Sequence, residues 1–490
     1  MAATVNAPKI LRNFFSLSTG KVLGDLVTFV FFIVLSRAFG EEGLGHYSLA
    51  TVTGGFCLLA SDFGLYQYTV REISKIGHLK SSKYKEILVT RSLTSTVVTM
   101  ALLLGVFVTP VLAETRWILF LIGVSQVFFA VANGLLAFFV AHERMAQAAI
   151  GEFGMRALSA LTGLLVVWFG GSLVDVAVAI AAVNLASMIG VGTVALKTYA
   201  DWARPLSWPA VVSTLRASIP FAIVPLLRQA ATRLDILLVS AFLGASAVGI
   251  YNAAYRVVFI TFPLFYLLSI SILPSASNLY ERSPAEFSKL VHRSLGVSVL
   301  ISIPSATGIC LIAPKLIGVL FGAQFQESGL VLQLLSWQVL IAPCVAILST
   351  ALISCHREKQ RVTAEITGLA LGFLAYCLLI PWQGLVGAAI ASAVAQAAIL
   401  AVLLWALRDI IGMPKIGSRV AIAVLGSGCF ALVHYVLAPL PLYMVIPLSV
   451  AIYAGVVSCF SDIRANEINL LVKAFKPAGG VKATCPEGGG

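Results

Sequence analysis

The sequence predicts an all-α integral membrane protein of about fourteen transmembrane helices, grouped as two pseudo-symmetric six-helix bundles followed by two extra C-terminal helices. Three observations carry this reading. Hydrophobic residues make up 59% of the chain and charged residues only 11%, which is too apolar for a water-soluble globule with a polar shell. The apolar residues fall in stretches of about 20, the length that crosses roughly 30 Å of hydrocarbon as a helix with every backbone group bonded internally. Lys and Arg gather in every second gap between those stretches.

Taken in order, the expected spans cover 17–38, 46–66, 92–112, 117–141, 150–169, 173–196, 218–243, 248–273, 294–320, 330–354, 362–380, 384–407, 420–438 and 442–461. Pro220 and Pro225 mark the seventh as a helix that bends. With the N-terminus cytoplasmic, the inside segments hold 25 of the 33 Lys and Arg, six of them between the second and third spans (Arg71, Lys75, Lys80, Lys83, Lys85, Arg91). The outside loops hold only Arg116. Positive residues stay on the cytoplasmic side of short loops, and a wrong span count would scramble the alternation from the error onward. An even number of spans with both termini cytoplasmic follows. The net charge of +12 is therefore a topology signal, and no nucleic-acid partner is expected.

The first apolar run is longer than a signal-peptide core and no small-residue cleavage site follows it, so it is expected to insert as an anchor. All eight cysteines lie in spans or on the inside, and disulfides are not expected. Cys355-His356 lacks the further donors that a metal site needs and reads as a loop.

A shift of 204 lays Leu35-Ser36-Arg37-Ala38-Phe39-Gly40 on Val239-Ser240-Ala241-Phe242-Leu243-Gly244, and Gly45-His46-Tyr47 on Gly249-Ile250-Tyr251. Both copies read Gly-x4-Gly-x-Tyr at a tight outside turn. A shift of 212 sets Leu173-Val174 and Ala179 on Leu385-Val386 and Ala391. Two nearly equal shifts imply parallel halves, 1–213 and 214–408, then two additional helices in 409–462 and a disordered cytoplasmic tail, 463–490. Paired halves of this kind hold a substrate site between them and work by rocking.

Seven basic residues remain within or at the ends of spans: Lys21, Arg37, Arg156, Arg228, Arg233, Arg256 and Lys315. Each costs about 2.5 to 3.5 kcal/mol or more at mid-bilayer, so those near the centre must face water or a partner. Arg228 and Asp235 are seven apart and share a helix face, while Arg233 points elsewhere. Lys21 and Asp25 can pair along their helix, as can Glu152 and Arg156; each pair reads either as structural neutralisation or as a site in the lumen. Arg37 reads as snorkelling to headgroups or touching substrate. Lys315 reads as an interfacial anchor and Asp62 as an inner-boundary residue. The cationic surplus points to an anionic ligand, and the planar fork of arginine suits a diphosphate. Candidate substrate-binding residues are Arg228, Arg256, Arg233, Lys21, Arg37 and Arg156, with Asp235 and Asp25 as ion-coupling candidates. No Walker sequence, HExxH or long outside loop suggests catalysis, and no catalytic residue is proposed.

The turn motifs resemble a known family. Leu35-Ser36-Arg37-Ala38-Phe39-Gly40, Gly43-Leu44-Gly45-His46-Tyr47, and Ser61-Asp62-Phe63-Gly64-Leu65 leading to Arg71 resemble the opening of polysaccharide flippases, the Wzx-type branch of the multidrug/oligosaccharidyl-lipid/polysaccharide exporter superfamily. In the second half, Leu320-Phe321-Gly322, Ile380-Pro381 and Gly384-Leu385-Val386-Gly387-Ala388-Ala389 agree. The resemblance implies a V-shaped cavity between two six-helix bundles that opens alternately to either side of the bacterial cytoplasmic (inner) membrane. Its implied cargo is a polyprenyl-diphosphate-linked oligosaccharide, held by Lys21, Arg228 and Arg256, with sodium or a proton as coupling ion and no other cofactor. A second carboxylate to complete a sodium site is not seen in the middle of span eleven. The implied partners are a polysaccharide polymerase and chain-length proteins, around a monomer. A lipid II flippase or a multidrug extruder would share the fold; an O-antigen polymerase or ligase would want a large outside loop.

Overall fold

The computed structural model describes residues 7–76, 82–108, 113–199, 207–412, 416–436 and 442–458, with side chains from Leu23 onward. The tail expected at 463–490 lies outside the described residues. The described residues are helical throughout, with no strand. The helices are α1 (Ala7–Asp62), α2 (Leu65–Ile76), α3 (Ser82–Val108), α4 (Ala113–Ala141), α5 (Met145–Trp168), α6 (Leu173–Tyr199) and α7 (Trp208–Leu243). They continue with α8 (Ala245–Phe259), α9 (Phe262–Arg282), α10 (Pro284–Phe321), α11 (Gln326–Ser354), α12 (Glu358–Ile411), α13 (Gly417–Val436) and α14 (Leu442–Ser458).

Two of these are hairpins. Gly40 leaves helical geometry at φ 68° and ψ −167°. Beyond it the chain returns along itself: the rings of Phe31 and Tyr47 stand 5.8 Å apart, whereas sixteen residues of straight helix would separate them by about 24 Å. Gly384, at φ 59° and ψ −133°, does the same in α12. A Cβ built on Gly372 would lie 2.8 Å from the Ala395 methyl, where straight helix would leave about 35 Å. Only glycine takes such a conformation without strain, which is why the turn motifs are written in it.

By length and apolarity alone, nine helices among the described residues can cross a membrane, or ten if α7 counts as one bent span. Two of the nine contain the hairpin turns. This is a multi-pass membrane protein. The bend in α7 is 45° between Trp208–Ile223 and Pro225–Leu243, at the prolines that predicted it. One element was not foreseen. The basic segment after the second expected span forms α2, which buries Leu65, Tyr68, Thr69 and Ile73 and exposes Arg71 and Lys75; twelve residues with one apolar face suit the membrane surface, not its interior.

The largest buried cluster gathers where the glycine turns lie: Leu35 and Leu44 of α1, Val239 of α7, Tyr251 of α8, Phe321 of α10 and Ile380 of α12 all belong to it. Towards the other end the core divides. Tyr68, Ile73, Tyr84 and Phe138 form one cluster within α2–α4, and Phe287, Leu348, Leu352 and Leu403 another within α10–α12. Helix α13 packs on α10 and α14 on α13, and Tyr453 Oη of α14 donates to the Leu300 carbonyl of α10 at 2.5 Å.

At the fused end the two repeat turns touch backbone to backbone. A Cβ on Gly45 would stand 1.8 Å from the Ala245 carbonyl oxygen, and one on Gly249 1.9 Å from that of Glu41. The shift of 204 relates 41 to 245 and 45 to 249, so the contact is reciprocal. Ser246 Oγ donates to Glu41 Oε1 at 2.7 Å beside it.

Candidate functional site: a basic, aromatic-walled cavity

A cavity of about 370 Å³ lies between α1, α4, α5, α6, α7 and α8 and is lined by Asp25, Arg156, Arg233 and Arg256, together with Tyr47, Thr51, Gln126, Ser159 and Asn184. Four of the eight candidate residues therefore converge. Each comes from a different helix, which is why no local sequence pattern joins them.

The three arginines are held differently. Arg156 bridges two carboxylates, Nη1 to Asp25 at 3.3 Å and Nη2 to Glu152 at 3.0 Å, and stacks over the Phe129 ring. Its Cδ lies only 2.9 Å from where a Cβ on Gly24 would be, so glycine lets α5 lay this side chain across α1. The Glu152–Arg156 pair is the one its spacing offers; Asp25 pairs across to α5. Arg233 and Arg256 form no ion pair or side-chain hydrogen bond among the described residues. Arg233 sits over the rings of Tyr255 and Phe259, 5.3 and 5.4 Å from their centroids. Arg256 sits over Phe32 at 4.6 Å, and its Nε is buried without a partner. Aromatic faces hold a guanidinium in place by about 0.5 to 2 kcal/mol each without neutralising it. The cavity thus presents two oriented positive groups with no direct ion-pair partner among the described residues.

Other candidates lie elsewhere. Arg228 is exposed and does not line the cavity. Five residues separate it from Arg233, which turns its side chain roughly 140° away around α7. Arg37 caps α10: its Nε donates to the Leu320 carbonyl at 2.9 Å and its Nη2 to that of Val319. A cation at a helix C-terminus meets the orphan carbonyls there, and this accounts for Arg37 without headgroup or substrate. Lys21 is on α1, and its side chain lies outside those described. Asp235 is buried away from the cavity. Its Oδ1 accepts from the Ile236 amide at 2.8 Å and its Oδ2 from Tyr251 Oη at 3.1 Å. Among the described residues no three His, Cys, Asp or Glu converge as metal ligands.

Charge guided the sequence reading, and it passed over the neutral polar wall. Ser159 Oγ donates to Asn184 Oδ1 at 3.0 Å, and Asn184 Nδ2 to Ser125 Oγ at 2.7 Å. An asparagine in the middle of an apolar run was the available signal, because an unsatisfied amide in hydrocarbon is costly and needs partners.

Residues 10–280, more than half of the chain, match the family described as polysaccharide biosynthesis protein. The chain belongs to that family. Its resemblance to polysaccharide flippases, carried by the glycine turns, agrees with this membership. The probable low-salt glycan biosynthesis flippase Agl15 of Haloferax volcanii is 26% identical over 165 residues, which are 34% of this chain and 35% of that protein. The capsular polysaccharide biosynthesis protein CapF of Staphylococcus aureus is 24% identical over 180 residues, 36% of this chain and 46% of that protein. The matched stretch thus spans less than half the length of these relatives. Among solved structures, the lipid II flippase MurJ in an inward closed conformation superimposes with a TM-score of 0.74 at 15% identity, over 92% of this chain and 99% of that one. An inward-facing multidrug resistance MATE family transporter of the MOP superfamily gives a TM-score of 0.61 at 17% identity, over 79% and 94%. At such identities the likeness is one of fold.

Proposed function

We propose that this protein is a flippase, and not an enzyme, that carries polyprenyl-diphosphate-linked oligosaccharide units across the bacterial cytoplasmic membrane by alternating access, with both termini cytoplasmic and about fourteen spans in two halves. The observation that carries this reading is the pair Arg233 and Arg256, which open to one cavity between helices with no carboxylate partner among the described residues. A desolvated guanidinium stacked on a ring keeps its bidentate donors for phosphate oxygens. Family membership and the names of the relatives support glycan assembly as the pathway.

Arg156 supplies the resetting step. It is shared by Asp25 and Glu152, so a diphosphate that draws it away leaves a carboxylate free to take a proton or a sodium ion. Release of that ion lets the pair re-form and expels the phosphate.

The test is a proteoliposome assay that follows the leaflet of a fluorescent undecaprenyl-diphosphate oligosaccharide. Arg256→Ala and Arg233→Ala are expected to slow transfer at least tenfold in protein that still elutes as a single folded species, and Arg256→Lys to restore part of the rate. Arg228→Ala is expected to leave it near wild type. Wild-type transfer by the Arg233→Ala, Arg256→Ala double variant would refute the assignment.

A further inference from the structure

A second, smaller chamber adjoins the cavity, and we propose that it seats one sugar ring of the lipid-linked glycan while the diphosphate lies with the arginines. This rests on the flippase reading and specifies where its cargo is recognised. The chamber holds about 180 Å³ between the α1–α2 turn, α4 and the bend of α7. Leu58 is in its wall and in the wall of the central cavity, so the two spaces are neighbours. That volume is of the scale of a single ring and not of a chain.

Its chemistry is that of a polyhydroxyl ligand. Gln67 and Asn133 line it, and neither side chain hydrogen-bonds to a described residue. Each amide offers donors and an acceptor side by side, the pattern that adjacent hydroxyls match. Asp62 is the third polar group. Its Oδ1 is fixed by Arg91 Nη1 at 3.0 Å and the Tyr66 amide at 3.2 Å, while Oδ2 has only a long contact with that amide, at 3.4 Å. One carboxylate oxygen is thus held in position with its accepting capacity nearly unused. A phosphate would be repelled by it, whereas a hydroxyl would donate to it. Leu58, Phe221 and Pro225 supply apolar wall against which the C–H face of a ring can pack.

The bend of α7 makes the space. Pro225 lines it at the break, and the segment before the break is pressed onto the α1–α2 turn, where a Cβ on Gly64 would stand 2.6 Å from the Ala222 amide nitrogen. Rocking of α7 would therefore open or close the chamber together with the cavity.

Binding to the full-length protein in nanodiscs separates the possibilities, with three probes: undecaprenyl diphosphate, and the same lipid bearing N-acetylglucosamine or galactose. Wild type is expected to bind at least one sugar-bearing probe about tenfold tighter than the bare diphosphate. Gln67→Ala, at an exposed position that should not disturb folding, and Asn133→Leu, which keeps volume, are each expected to lower that preference, and together to abolish it with affinity for the bare lipid unchanged. Equal loss for all probes, an undiminished preference, or no preference in wild type would overturn the sugar site. Failure of wild type to bind any of the three would instead count against the flippase reading itself.

Discussion

Among the described residues Arg91 is the most enclosed charge, and its surroundings explain the Ser-Asp-x-Gly-Leu turn that precedes it. The side chain is 2% exposed. Its Nη1 donates to Asp62 Oδ1 at 3.0 Å and to the Ala130 carbonyl at 3.1 Å, and the guanidinium lies flat on Gly134 of α4, where a Cβ would fall 1.8 Å from Nη1. Gly134→Ala must therefore push the guanidinium off its carboxylate, and removing one partner of a buried pair costs about 3 to 5 kcal/mol. Thermal unfolding in detergent should show a large loss of stability, and an unchanged melting temperature would contradict the packing. Arg37 gives the opposite expectation. Arg37→Gln removes bonds from a charged donor to two end carbonyls, worth about 1.5 to 3 kcal/mol, and should lower stability without changing affinity for undecaprenyl diphosphate. At this scale the sequence announced which charges are unusual and left their partners open. Asp25 could pair with Lys21 four residues away or with anything the fold brought near; it pairs with Arg156, and no spacing rule contains a contact between α1 and α5.

At the scale of elements, α7 carries the most consequence for its length. Its break divides a segment that packs with the α1–α2 turn from one that carries Arg233 into the cavity and buries Asp235. Pro225→Ala restores a backbone donor and removes the ring clash with the preceding turn. The expected result is a straighter α7, read as a longer spin-label distance between its two ends, together with loss of the preference for sugar-bearing lipid; an unchanged distance would mean that packing, not proline, sets the bend. The bend was legible because proline chemistry is local. Helix α2 was not, because Arg71 and Lys75 made it resemble a basic loop, and only its period of buried Leu65, Tyr68, Thr69 and Ile73 distinguishes it. The hairpin turns were legible for a further local reason: Gly40 and Gly384 adopt positive φ, which the residue type itself advertises.

For the whole molecule, one cluster of buried residues spans both sets of helices at the glycine-turn end, while separate clusters occupy the opposite end. Helices that share one core at one end and pack in separate clusters at the other can part at the shared end only by breaking that core. Gly45→Val and Gly249→Val would drive a side chain into the opposing carbonyl, at 1.8 and 1.9 Å for the first carbon alone. Either is expected to prise this end apart. Ser328→Cys, buried and bonded through its Oγ to the Ile250 carbonyl in the native chain, would report it as thiol labelling at least tenfold faster than in the unwedged protein. Equal labelling would show that the turns separate without mattering. Alternating basic clusters in the sequence predict a side for each loop but carry no information on which ends touch, so this asymmetry of packing had to come from three dimensions.

The meeting of Gly45 with Ala245 and of Gly249 with Glu41 has one more effect. At the two glycines the seam brings bare peptide groups together, and every one of the other amino acids is larger. Close approach of this sort is available only to the smallest residues. A lineage adapting to a new cargo would find room for variation in the walls of the two spaces and almost none at the seam, so that recognition can drift while the seam stays put.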